Sequence, residues 1–205
     1  MIIFKKSIDN INEYQCGVLP KNAEKLNAPN STDEMMKKAA PIAAVLCLIV
    51  TVSMFIKTFI SYKMVIYPPA VLIGFLIGFF LLIVHEWLHA IIYPYKANVT
   101  IGKLKGKLVF VALASYPLKR WHFIVMCLIP FVLGIVPLSI FILSPSEKTI
   151  LNGFMFGMAY MGMVSPFPDV YNVILILKQT KHNDTIMFYE NDIYKISNYK
   201  ESDNF

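Results

Sequence analysis

Four stretches of this sequence are each long and apolar enough to cross a lipid bilayer as a helix. They are residues 41–62, 70–93, 123–143 and 150–177. A helix needs about 20 mainly apolar residues to cross the hydrocarbon core of a bilayer. The composition agrees, because 57% of the residues are hydrophobic and only 16% are charged, which is unusual for a soluble domain. The sequence therefore predicts an all-α membrane protein with four transmembrane helices.

The charges of the segments outside these stretches predict an orientation. Residues 1–40 hold six Lys and Arg residues, segment 96–120 holds six and residues 178–205 hold four, whereas the two opposite loops hold only Lys63 and Lys148. Positive residues concentrate on the cytoplasmic side of a membrane, so we expect both tails and the middle segment to be cytoplasmic. The expected organisation is an N-terminal tail (1–40), a four-span domain in the cell membrane (41–177) and a C-terminal tail (178–205). No apolar run in the first tail has the length of a cleaved signal peptide.

The middle segment, 96–120, is basic and contains no acidic residue. Basic residues beside a membrane are typical of contacts with anionic lipid headgroups. The segment lacks the basic and aromatic pattern of nucleic-acid-binding modules. Membrane lipid is therefore the expected partner and nucleic acid is not. The cysteines, which are Cys16, Cys47 and Cys127, form neither a disulfide framework nor a paired metal motif.

The sequence HEWLH, at residues 85–89, places ionisable side chains inside the second apolar stretch. Residues four apart lie on the same face of a helix, so His85 and His89 can bind one metal ion through their imidazole nitrogens. Glu86 is then positioned to act as a general base on the attacking water. An ionisable side chain inside a membrane span costs roughly 2.5–3.5 kcal/mol or more and marks a functional site by default.

A catalytic zinc of this type takes a third protein ligand, and Asp169 is the remaining carboxylate within a predicted span. Between Met35 and His182 the acidic residues are Glu86, Glu147 and Asp169, and Glu147 lies in a short polar loop. At about 1.5 Å per helical residue, both histidines and Asp169 lie roughly 10–16 Å from the nearest cytoplasmic lysine. Matching depths predict that the three side chains meet.

The same residues are also compatible with purely structural roles. Asp169 follows Pro168, so it could instead cap a half-helix that begins after a break at residues 166–168. The two histidines could form a neutral hydrogen-bonded pair, with Glu86 paired to Lys96 or Lys119. His122, which lies beside Trp121, is expected at the membrane interface.

Residues 107–117, KLVFVALASYP, are rich in β-branched and aromatic residues between turn-forming flanks. This pattern predicts a small β-containing cytoplasmic segment between helices 2 and 3. Such a strand or hairpin could bind an extended substrate by strand addition. A shallow segment at the membrane interface is the alternative, because periodicity is ambiguous in so short a run.

The order of these motifs resembles a bacterial family of small four-span membrane proteins described as zincin peptidases. The resemblance rests on VHEWLHA at the end of the second span, a basic segment, LIPFVLGIVP and then SPFPDVYN. The sequence is more distantly similar to intramembrane metalloproteases of the site-2 protease type. The resemblance covers most of residues 41–177 and implies a Zn²⁺ peptidase with His85, His89 and Asp169 as ligands and Glu86 as the catalytic base.

The sequence departs from the site-2 protease pattern around the third ligand. In that pattern a glycine follows the aspartate and an Asn-Pro pair precedes it, whereas here Val170 follows Asp169 and Asn172 lies three residues later. Asn172 is therefore a candidate to orient a ligand or to hold substrate.

The resemblance implies a peptide or a membrane protein as substrate, and the sequence predicts no oligomeric state. Two alternatives to an enzyme use the same fold, namely a non-catalytic membrane adaptor and a metal-binding membrane protein. A metal or proton carrier is less favoured, because the sequence has neither a second pair of intramembrane carboxylates nor an inverted repeat.

Overall fold

The computed structural model describes residues 1–107 and 109–197 of the protein. The described part is mostly helical, with some β-strands. Four helical stretches are long and apolar enough to cross a membrane, which confirms the four predicted helical stretches. They are Thr32–Ser61, Pro68–Ile92, Arg120–Leu143 and Thr149–Gln179.

Three of these four stretches are interrupted, and each interruption divides the stretch into two α-helices. The helices are α1 (Thr32–Ser61), α2 (Pro68–Phe80), α3 (Leu82–Ile92), α4 (Arg120–Leu128), α5 (Val132–Leu143), α6 (Thr149–Val164) and α7 (Phe167–Gln179). The interruptions are at Leu81, at the 3₁₀ turn Ile129–Phe131 and at residues 165–166. Irregular backbone within an apolar span is tolerated where protein or a polar cavity surrounds it.

Helix α1 begins at Thr32, nine residues before the predicted start of the first span. Ser31 Oγ accepts a hydrogen bond from the backbone N–H of Glu34 at 3.2 Å. The Glu34 carboxylate in turn accepts one from the N–H of Asn30 at 2.9 Å. These bonds satisfy N–H groups at the helix start in the manner of a capping box. The helix therefore begins in the polar sequence before the apolar run, and Pro41 lies inside it.

The chain divides into two compact units, and one of them contains residues 39–85 and 129–170. Within this helical unit, α6 packs closely against α2 and α5 at glycines. A Cβ atom on Gly74 would lie 2.1 Å from the Phe154 carbonyl oxygen, and one on Gly134 would lie 2.3 Å from the Met163 nitrogen. Small residues that allow backbones to approach are typical of packing between helices in lipid.

Lys57 of α1 lies in the helical unit at the C-terminal end of α5. Its ammonium group donates hydrogen bonds to the carbonyl oxygens of Phe141 and Ser144, the latter at 2.8 Å, and to Asn152 Oδ1 at 3.2 Å. The same group lies 4.7 Å from the centre of the Phe141 ring. Lys57 thus satisfies carbonyl groups that the end of a helix leaves without an intrahelical donor.

The other unit contains residues 1–38, 86–128 and the described residues from 171 onwards, and it includes two β-sheets. The strands are β1 (Ile2–Ile8), β2 (Ala23–Lys25), β3 (Val99–Leu104), β4 (Phe110–Leu113), β5 (Leu118–Lys119), β6 (Thr185–Tyr189) and β7 (Asp192–Ile196). One sheet has the order β1–β3–β4 and the other β2–β7–β6–β5.

These sheets join the two tails to the middle segment. Strand β1 of the N-terminal tail pairs in parallel with β3, β2 pairs with β7 of the C-terminal tail, and β5 pairs with β6. We expected strands only between helices 2 and 3, so the strands of both tails are a difference from the prediction. Leu108 and residues 198–205, which belong to the predicted β segment and C-terminal tail, lie outside the described residues.

Candidate metal centre

Helix α3 has its two histidines on a buried face and several of its large apolar residues on an exposed face. His85 and His89 are 5% and 8% exposed, whereas Val84, Trp87 and Ile91 are 37%, 43% and 41% exposed. A helix at the surface of a water-soluble protein shows the opposite pattern. This separation follows from helical spacing. Residues 85 and 89 are one turn apart on one face of the helix, whereas residues 84, 87 and 91 lie on the other face.

His85 contacts Asp169, which lies far away in the sequence. His85 Nε2 is 3.3 Å from Asp169 Oδ2, and both side chains are largely buried. A direct charge-assisted hydrogen bond between nitrogen and carboxylate oxygen is typically about 2.7–2.9 Å long. Two ligand atoms that each lie about 2.0–2.1 Å from a tetrahedral zinc are separated by about 3.3 Å. The observed separation therefore matches two ligands of one metal ion.

Asp169 is the third residue of α7, after Phe167 and Pro168. It therefore lies inside the first helical turn and not at the N-cap, which was the alternative position for it. A carboxylate in this turn still interacts favourably with the helix dipole. The break at residues 165–166 directly precedes this turn, so it determines where α7 begins and hence where the Asp169 side chain lies.

His89 makes a hydrogen bond that defines its tautomer. Its Nδ1 lies 2.8 Å from the backbone carbonyl oxygen of Met126 in α4. A carbonyl oxygen can only accept, so Nδ1 carries the proton and donates it, and in the neutral ring the lone pair is then on Nε2. Histidines that bind metals commonly donate their second ring N–H in this way, which fixes the ring and raises the basicity of the binding nitrogen.

His85, His89 and Asp169 each offer one ligand atom, and these atoms all lie within 4.8 Å of one another. Two imidazole nitrogens and one carboxylate oxygen are a donor set of catalytic zinc sites, in which the fourth position takes water or substrate. The His89 tautomer and the distance between His85 Nε2 and Asp169 Oδ2 are both those expected for ligands of one zinc ion. The three residues present in this chain therefore fit Zn²⁺.

The other two candidate residues lie on the same two helices. Glu86 follows His85 on α3 and is half-buried. Asn172 is 9% exposed and lies three residues after Asp169 on α7, which puts the two on the same side of that helix. Two roles stay predictions: Glu86 as the catalytic base, and Asn172 as a residue that orients a ligand or holds substrate.

Two residues near the histidines were not identified from the sequence. Met126 contributes only its backbone carbonyl, which no side-chain motif indicates. Tyr93 comes one turn after His89, just beyond α3, and is 9% exposed. Tyr93 belongs to the same apolar cluster as Ala90 and Met126.

Comparison with protein-family models finds a match. A family model described as "Putative zincin peptidase" matches residues 78–183, a region that includes the HEWLH motif, Met126, Asp169 and Asn172. No curated protein and no solved structure matches the chain. The matched region is more than half of the chain, and the protein therefore belongs to this zincin peptidase family.

Proposed function

We propose that the protein is an integral-membrane zinc metallopeptidase. His85, His89 and Asp169 are the zinc ligands in this proposal, and Glu86 is the general base. The observation that carries it is the 3.3 Å approach of His85 Nε2 to Asp169 Oδ2, on a helix whose HEWLH sequence is typical of zincins. Membership of the zincin peptidase family supports the same chemistry.

The reaction we propose is hydrolysis of a peptide bond without a covalent intermediate. Bound zinc would supply a Lewis acid that lowers the pKa of water and polarises the peptide carbonyl. The Glu86 carboxylate would accept a proton from the attacking water and then donate it to the leaving amine. The hydrogen bond from His89 Nδ1–H to the Met126 carbonyl would keep the lone pair on Nε2, the nitrogen that binds the metal, throughout the reaction.

We place the protein in the cell membrane with both tails in the cytoplasm. Four long apolar helices support a multi-pass protein. Pairing of β1 with β3, β2 with β7 and β5 with β6 supports the proposal that both tails and the middle segment lie on one side of the membrane. The excess of basic residues in these three segments favours the cytoplasmic side and supports contacts with anionic lipid.

We further propose that a peptide or membrane-protein substrate binds in extended form along β4. This strand is at an edge of its three-stranded sheet, so one side of its backbone is available to an added strand. The N–H of Leu104 donates to the Val109 carbonyl, and Gly102 is opposite Val111. Hydrogen-bonded pairs alternate along an antiparallel ladder, so the N–H groups of Phe110 and Ala112 point away from β3.

A comparison of cleavage products tests the enzymatic proposal and does not require an identified substrate. The purified protein is reconstituted in liposomes with membrane proteins from cells that lack its gene, and new N-termini are identified by mass spectrometry. We expect new termini with the wild type, and none with Glu86→Gln although that variant retains zinc. Glu147→Gln changes a carboxylate outside the helices and should cleave like the wild type. Identical termini with the wild type and Glu86→Gln would contradict the proposal.

A further inference from the structure

The carbonyl group that fixes the His89 tautomer lies four residues before a proline. Met126 is in α4, and Pro130 is a buried residue of the 3₁₀ turn Ile129–Phe131 that separates α4 from α5. In an α-helix the carbonyl of residue 126 would accept the N–H of residue 130. Proline has no N–H, so this intrahelical hydrogen bond cannot form.

The ring of Pro130 is also expected to change the direction of the Met126 carbonyl. A proline ring inside a helix clashes with the carbonyl four residues earlier and tilts it away from the helix axis. The Met126 carbonyl lacks its ordinary helical donor and belongs to a residue buried in an apolar cluster, where a polar group without a partner is destabilising. His89 Nδ1, at 2.8 Å, supplies the donor.

We propose that Pro130 is a positioning residue for the metal centre, which acts by keeping the Met126 carbonyl available to His89. It does not touch metal or substrate. This inference rests on the proposed zinc site, because a Nδ1-protonated His89 matters for function only if Nε2 binds the metal. Pro130 lies outside the HEWLH motif. In this proposal it determines which ring nitrogen of His89 carries the proton and which one binds the metal.

The chain provides a matched control in the same helical stretch, Arg120–Leu143. Pro137 is a buried proline inside α5, and the carbonyl four residues before it belongs to Leu133. Pro137→Ala introduces a backbone N–H into the helix just as Pro130→Ala does. The Leu133 carbonyl takes no part in the His89 hydrogen bond, so the N–H introduced at 137 does not compete with His89. This control therefore reports the general effect of replacing a helical proline.

A pair of substitutions at position 130 separates the N–H from the ring. Pro130→Ala removes the ring and introduces an N–H that competes with His89 for the Met126 carbonyl. Lactic acid at position 130, incorporated by nonsense suppression, is alanine with an ester oxygen in place of the N–H, so it removes the ring without adding a donor. Two properties are measured, zinc affinity by competition with a chelator and the His89 tautomer of the zinc-free protein by ¹⁵N NMR of labelled histidine.

We expect Pro130→Ala to weaken zinc binding by about 10- to 100-fold, which is the usual effect of losing a hydrogen-bond partner of a metal-binding residue. The fraction of His89 protonated at Nδ1 should fall in the same variant. The lactic acid variant and Pro137→Ala should retain the affinity and tautomer of the wild type. A His89→Gln sample identifies the resonances of His89.

Two results would overturn the inference. If the alanine and lactic acid variants lost zinc affinity equally, the effect would come from the proline ring and not from the added N–H. If Pro130→Ala kept the zinc affinity of the wild type, the Met126 carbonyl would not need Pro130. Failure of the wild type to bind zinc would instead contradict the proposed function. The tautomer of the zinc-free protein would still decide whether Pro130 controls His89.

Discussion

His85 Nε2 lies 3.3 Å from Asp169 Oδ2, which brings two helices together at their ionisable residues. If both atoms bind one zinc ion, the negative charge of Asp169 is needed as well as its shape. We expect Asp169→Asn, which preserves the shape, to weaken zinc binding strongly. The loss should exceed the ~10–100-fold that is typical when a metal-binding residue loses its hydrogen-bond partner. Competition with a chelator measures this affinity. Zinc affinity equal to that of the wild type would show that Asp169 is not a ligand.

The free edge of β4 provides a test of substrate binding. Ala112→Pro removes an N–H that points away from β3, and proline is tolerated on an edge strand. We expect the kcat/KM for a substrate identified from its new termini to fall about fivefold, the equivalent of one hydrogen bond worth about 1 kcal/mol. Zinc content should not change. Wild-type kcat/KM in a folded Ala112→Pro variant would exclude strand addition at this position.

Lys57 is expected to stabilise the helical unit and to have no part in catalysis. Lys57→Met keeps an apolar stem of similar size but leaves the Phe141 and Ser144 carbonyls without this donor. Loss of a buried partner costs about 1–3 kcal/mol, so the free energy of unfolding in detergent should fall by this amount. The control is Lys63→Met, which removes an exposed ion pair with Glu147 and should have a smaller effect. Equal effects of the two variants would contradict the assigned role of Lys57.

The proposed orientation predicts which positions are labelled from outside the cell. Lys63 is in the loop after α1, whereas Lys181 is in the C-terminal tail between α7 and β6. In a background without the native cysteines, Lys63→Cys should react with a membrane-impermeant maleimide on intact cells. Lys181→Cys should react only after the membrane is permeabilised. Labelling of Lys181→Cys on intact cells would contradict a cytoplasmic C-terminal tail.

The parts of the structure that the sequence predicts are those determined by local periodicity. The four apolar stretches predict four long helices because their length and composition require no knowledge of a partner. The relation of His85 to His89 is also local, because one helical turn separates them. Asp169 is recognisable only as the remaining carboxylate within a span, and its contact with His85 depends on how the helices pack.

The features missed from the sequence depend on partners far away in the chain. Strand β1 is half polar, IIFKKSI, and is recognisable as a strand only once β3 lies beside it. The Met126 carbonyl is a backbone group, so the only sequence signal for it is Pro130, four residues later. The close approach of α2 and α6 has a clearer signal, since Gly74 and Gly78 in α2 and Gly153 and Gly157 in α6 have the GxxxG spacing.

Metal analysis of the purified wild type tests the central claim most directly. Protein prepared without chelators should contain about one zinc ion per chain, as expected for a site with three protein ligands. His85→Ala and His89→Ala should lose this zinc, whereas His122→Ala, which changes an exposed histidine, should retain it. A folded wild-type protein that contains no zinc and does not take it up when zinc is added would contradict the account.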